Sequence, residues 1–143
     1  MPDILHRVGI AAPIDTVYTT LTTLDGNRGW WDSKATGDAK QGGELTFFGH
    51  VFKVVEARPN ELVTWKCVSG SEEWVNTKIE FKLVYRDNQT FVIFTHAGWK
   101  KPVEFMHHCS TKWAIQLVHG LKALVETGKG RPAPDDVQVY VGG

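Results

Sequence analysis

The chain has 143 residues, with 16 basic and 16 acidic side chains and a formal net charge of zero. That balance, with no local basic run, excludes the electrostatic footprint of a general nucleic-acid binder. No stretch approaches the roughly 20 apolar residues of a membrane span, so no membrane insertion is expected.

Apolar residues make up 42% and charged residues 22%, the composition of one globular domain able to bury a core. Cys67 and Cys109 are the only cysteines, too few for a disulfide framework, and a reducing compartment is expected. The N-terminus MPDILHRVGIAAP lacks a charged lead followed by a long apolar segment, so no secretory signal is expected. The expected location is cytoplasmic.

Asp3 to Ala11 reads as a first strand. Pro13 and Asp15 open a short helix, because proline is tolerated in a first turn and a carboxylate suits the positive helix end. Ile14, Val17, Tyr18 and Leu21 give that helix its stripe. Asp25-Gly26 breaks it, and a second short helix carries Trp30 and Trp31. Lys40 to Gly43 reads as a polar turn.

Strands follow closely. Glu44 to Phe48 and Val51 to Ala57 flank Gly49-His50, a candidate hairpin turn. Leu62 to Val68 comes after the turn Arg58-Pro59-Asn60. Trp74 to Tyr85 alternates apolar and polar residues, as a strand with one covered face does. Arg86-Asp87-Asn88 is a turn, and Gln89 to Ala97 is the last strand. Met106, Trp113, Leu117, Leu121 and Leu124 recur at spacings of three, four and seven, which predicts a long helix over Glu104 to Gly128. Residues 1–128 form one domain in this reading. Residues 129–143 form a tail in which Val137, Val139 and Val141 alternate as a possible short strand.

Hairpin-short links force antiparallel neighbours. The predicted fold is α+β, a curved six-stranded antiparallel sheet around a long C-terminal helix, with two short helices after strand 1.

Five pieces in this order resemble a known superfamily: IAAPIDTVYTTLT, the Trp30-Trp31 pair, VFKVVEARPNELVTWKC, TFVIFTHAGW and WAIQLVHGLKALVETGKG. Together they resemble the helix-grip fold of the START-like (SRPBCC) superfamily, in the branch named for the activator of heat-shock-protein ATPase. The resemblance implies a hydrophobic cavity between sheet and long helix. It also implies carrier, sensor, lipid-binding or stress-related roles for many relatives, and cyclase or hydrolase activity for a minority. The branch name refers to a two-domain co-chaperone. A second domain does not fit within 143 residues, so that role is not carried over.

Six tryptophans are spread over the chain. Indole suits a cavity wall, since it combines a flat apolar face with one N–H donor. The candidate lining comprises Trp31, Phe47, Trp65, Trp74, Phe81, Phe94, Met106, Ser110, Trp113 and Leu117. His96 and Ser110 would orient a ligand by hydrogen bonds. The alternation of the last strand puts Val92, Phe94 and His96 on one face, without revealing which face is covered. His107, His108 and Cys109 point in different directions on a helix, and no paired CxxC or HxxxH accompanies them, so no metal is expected. Glu72 and Glu73 read as solvated loop residues. No nucleophile elbow, phosphate loop or dinucleotide fingerprint occurs, and no cofactor is expected.

The leading expectation is non-catalytic binding of a small apolar or aromatic molecule. One alternative is an enzyme (cyclase, hydrolase or isomerase) using His96 as general base. The other is a protein-interaction module, which would carry an exposed apolar patch instead of a cavity.

Overall fold

The computed structural model describes residues 2–142. The strands are β1 (Ile4–Ile10), β2 (Thr36–Gly37), β3 (Glu44–Phe47), β4 (His50–Arg58), β5 (Leu62–Ser69), β6 (Lys78–Arg86) and β7 (Gln89–Ala97). They form one antiparallel sheet in the order β1-β7-β6-β5-β4-β3-β2. Two short helices, α1 (Ile14–Leu21) and α2 (Leu24–Trp30), carry the chain from one edge of the sheet to the other. The seventh strand, β2, is a two-residue edge pairing beyond the six expected.

The C-terminal helix is continuous but not uniform. It runs as α3 (Glu104–Ile115), widens into a π-helical stretch (Gln116–Lys122), and returns to α-helix in α4 (Ala123–Thr127). Gly128 stops it in the left-handed region at φ 84°. The N-cap Val103 makes no side-chain capping bond. A cap contributes about 1 kcal/mol, whereas each fully buried large aliphatic side chain contributes about 1.5–3 kcal/mol. Packing of Leu117 and Leu121, both fully buried, therefore holds this helix more than its ends do.

Alternation sets the covered face. Along β7, Thr90, Val92, Phe94 and His96 are buried, so this is the side that meets the helix. Ile79, Phe81 and Leu83 of β6 continue it, with Phe81 opposite Phe94 and Ile79 opposite His96. Register shifts in the β4–β5 pairing at Val51/Phe52 and Val54/Glu56 bend the sheet.

Three local expectations change. Trp74 to Thr77 is a turn and not the start of β6, because Asn76 adopts φ 74° and the Thr77 N–H bonds back to the Trp74 carbonyl. The β3–β4 turn is Phe48-Gly49, one residue earlier than expected, with φ 51° and 78°. No strand forms at Val137 to Val141. The tail docks instead through Ala133, whose N–H donates to the Trp31 carbonyl at 2.8 Å and whose carbonyl accepts from Ser33 N at 3.0 Å.

Gly120 makes this docking possible. A Cβ there would lie 2.2 Å from the Trp30 carbonyl oxygen, so helix and α2 approach backbone to backbone. Gly130 extends the crossing, since its Cβ would lie 2.3 Å from the Gly29 carbonyl oxygen. The tail thus starts in a glycine-walled groove and runs along the helix.

Candidate functional site

The space directly between sheet and helix is filled with rings. Trp31 lies at its centre, with its ring centroid 4.3 Å from Phe47, 4.8 Å from Trp113 and 5.9 Å from Trp65. Behind it, Trp65 meets Phe81 edge-on at 5.0 Å, and Phe94 meets Trp113 at 4.5 Å. Offset and edge contacts of this kind add about 0.5–1.5 kcal/mol per pair beyond burial. Trp30 is pinned by its N–H to Asn27 Oδ1 at 2.9 Å.

An open volume of about 490 Å³ lies one layer outward. One wall is the outer flank of the helix: Phe105, His108, Cys109, Lys112, Trp113 and Gln116. The opposite walls are Trp31, Phe48 and Trp74, and the tail residues Ala133, Pro134, Asp136 and Gln138. Its size falls in the range of small-molecule sites, about 300–1,000 Å³.

Of the residues marked in the sequence, Trp31, Trp74 and Trp113 line this cavity. Phe47, Trp65, Phe81, Phe94 and Leu117 are buried in the packed interior and do not reach it. Met106 is half-buried against the core. Ser110 Oγ lies 3.2 Å from His6 Nε2, on the flank of α3 that faces β1.

His96 is fully buried and outside the cavity wall. The Trp113 indole N–H donates to its Nδ1 at 3.1 Å. Its Nε2 is 2.8 Å from Thr77 Oγ1, and that hydroxyl donates to the Trp74 carbonyl at 2.6 Å. Nε2 therefore carries the proton and donates to Thr77. Burial holds the His96 pKa down at about 3, so the ring is neutral. With both ring nitrogens engaged, none is free to move a proton.

The lining expected from the sequence does not include Phe48, Phe105, His108, Cys109, Lys112, Gln116 or the tail, all of which form the wall. Phe48 is a bulky residue at φ 51°, held there by its N–H donating to Asp32 Oδ2 at 3.0 Å. That turn carries the Phe48 ring to the rim. Lys112 binds the tail through the Asp136 carboxylate and the Val137 carbonyl, the latter at 2.9 Å. Burial pushes the Cys109 thiol up to about 11, partly offset by the Trp74 indole beside it and reinforced by the charge of Glu73. The signal was a second stripe at Phe105, Cys109, Lys112 and Gln116, spaced four, three and four. No group of three or more His, Cys, Asp or Glu able to hold a metal comes together among the described residues. None of the described helices is long and apolar enough to cross a membrane.

Residues 11–126 match the family model described as Activator of Hsp90 ATPase homolog 1-like protein. The chain belongs to that family. A family member from Colwellia psychrerythraea, solved in solution as the Aha1 dimer, is 41% identical, with a TM-score of 0.81 over 91% of this chain and all of that one. SSP2350 from Staphylococcus saprophyticus is 19% identical, with a TM-score of 0.76 over 92% of this chain and 98% of that one. CalU16 from Micromonospora echinospora is 20% identical, with a TM-score of 0.74 over 92% of this chain and 77% of that one. The last two share the fold. No protein of curated function matches the chain. The Activator of Hsp90 ATPase homolog 1-like fold, with its sheet, helix and START-like topology, is compatible with a ligand-binding cavity. The matched segment stops before the tail residues that close one side of the cavity here.

Proposed function

We propose that this protein binds a small apolar or aromatic molecule, without chemical conversion, in the cavity between α3, the Phe48 turn and the tail. The observation that carries this reading is the wall itself. Five aromatic side chains, Trp31, Phe48, Trp74, Phe105 and Trp113, surround about 490 Å³ of open volume. Apolar burial supplies the affinity, at roughly 25 cal/mol per Å² before the entropy cost of association. A carrier or sensor role follows from binding without catalysis, and the engaged nitrogens of His96 favour it over the general-base alternative.

Calorimetric titration with naphthalene tests this. One-site binding that is lost in Cys109→Phe, a substitution that fills the cavity, is the expected result. Equal binding to both proteins contradicts it.

Self-association is a second reading. It is favoured by the relative solved as a dimer, and by the partial exposure of Phe48, Phe105 and Tyr140. Light scattering tests it: a dimeric mass that falls to monomer in Phe105→Glu supports this reading, and a monomer at all concentrations contradicts it.

A further inference from the structure

The cavity wall is apolar except at a few points, and those points differ in what they leave unmet. Lys112 and Asp136 are paired with one another, and Lys112 also bonds the Val137 carbonyl. An ionised ligand therefore meets no unpaired countercharge from this pair. His108 lies between rings, stacked 5.8 Å from Phe105 and edge-on 5.6 Å from Tyr140.

Two wall residues keep a buried polar atom without a partner among the described residues: Trp74, whose Nε1 is a donor, and Gln116, whose free end is an acceptor. Gln116 is 97% buried, being 3% exposed, and it forms part of the cavity wall. Its Nε2 donates to the Trp30 carbonyl at 3.2 Å and to the Arg131 carbonyl at 3.4 Å. Carbonyl oxygens only accept, so these two contacts fix which end of the amide is nitrogen. The other end, Oε1, lies just beneath the wall surface and has no hydrogen-bond partner among the described residues, so a ligand donor reaches it as the side chains around it shift. An unmatched buried acceptor is costly, and a donor that meets it recovers that cost. The residue also opens the π-helical stretch, a distortion often found at functional sites.

Resting on the cavity-binding reading above, we infer that the ligand is an uncharged planar aromatic molecule carrying an O–H or N–H donor, which bonds Gln116 Oε1. The aromatic walls select the flat body, and the glutamine oxygen selects the donor. A site built around a buried acceptor discriminates against analogues that cannot supply the matching hydrogen.

Three probes of similar shape separate the two claims: naphthalene, 2-naphthol and 2-methoxynaphthalene, titrated calorimetrically at neutral pH. Naphthalene and 2-methoxynaphthalene should bind weakly. 2-Naphthol should bind about tenfold tighter than either, the usual worth of one such hydrogen bond. Gln116→Met keeps the volume and removes the acceptor, so the preference for 2-naphthol should vanish while naphthalene binding is retained. The comparison in the unaltered protein stands by itself if that variant does not fold. Equal affinity for 2-naphthol and either of the other probes overturns this inference and leaves the cavity reading intact. Failure of all three to bind overturns the cavity reading and the inference with it.

Discussion

Trp113 donates its indole N–H to Nδ1 of His96 across 3.1 Å, and that bond decides which tautomer the protein holds. The ring donates its own N–H to the Thr77 hydroxyl oxygen, and that hydroxyl donates to the Trp74 carbonyl. The chain of donors links the helix to β7 and to the Trp74 turn. Two cavity-lining tryptophans are thereby tied to one buried histidine.

The histidine gives the protein a defined acid sensitivity. Its folded pKa of about 3 lies below the ordinary value of 6.5, so the unfolded chain takes up a proton that the folded protein refuses. The resulting stability is fully present above pH 6.5 and is lost as pH falls from there toward 3. The slope from this one group is about 1.4 kcal/mol per pH unit. Urea unfolding of the protein and of His96→Asn at pH 7, 6, 5 and 4 checks this. The substituted protein starts less stable, and the gap between the two should narrow steadily below pH 6.5.

Gly120 inverts a familiar rule. Alanine replacing glycine within a helix normally adds roughly 0.5–1 kcal/mol. Here the new Cβ meets the Trp30 carbonyl oxygen at 2.2 Å, and backbone cannot swing aside as a side chain can. Gly120→Ala should cost about 1–3 kcal/mol. Thermal or urea unfolding gives the sign directly, and a stabilised Gly120→Ala protein would mean the helix does not cross α2 this closely.

The tail should loosen when its clamp is removed. Lys112 and Asp136 are partly exposed, at 24% and 11% of their side-chain surface, so their pairing contributes about 1 kcal/mol. Asp136→Asn should raise hydrogen exchange at the Ala133 and Asp135 amides roughly fivefold. Amides of β6 and β7 should exchange as before. Unchanged exchange at Ala133 would assign the docking to the Trp31 and Ser33 bonds alone.

Much of this architecture was legible because period reports burial. The twofold alternation of Val92, Phe94 and His96 and the four-four-three spacing of Trp113, Leu117, Leu121 and Leu124 locate β7 and the helix without reference to neighbours. What alternation could not show was that Asn76 takes a left-handed conformation and ends the Trp74 segment as a turn. The cavity leaves a weaker mark in the sequence. The ring faces of Phe47, Trp65, Phe81 and Phe94 satisfy one another, so they close the interior instead of lining a hollow. Its true wall mixes Lys112 and Gln116 with Phe105 and Cys109, which blurs any apolar period. Its far side depends on bonds between Ala133, Trp31 and Ser33, about a hundred residues apart in sequence, which no local pattern encodes.

A two-dimensional amide NMR titration with naphthalene is the most direct test of ligand binding in the outer cavity. The account predicts saturable shifts at Phe48, Trp74, Phe105, Cys109, Lys112 and Gln138, with Leu5 and Tyr85 on the far surface unchanged. Shifts confined to Leu5, Tyr85 and their neighbours, or no saturable shift at any residue, would contradict it.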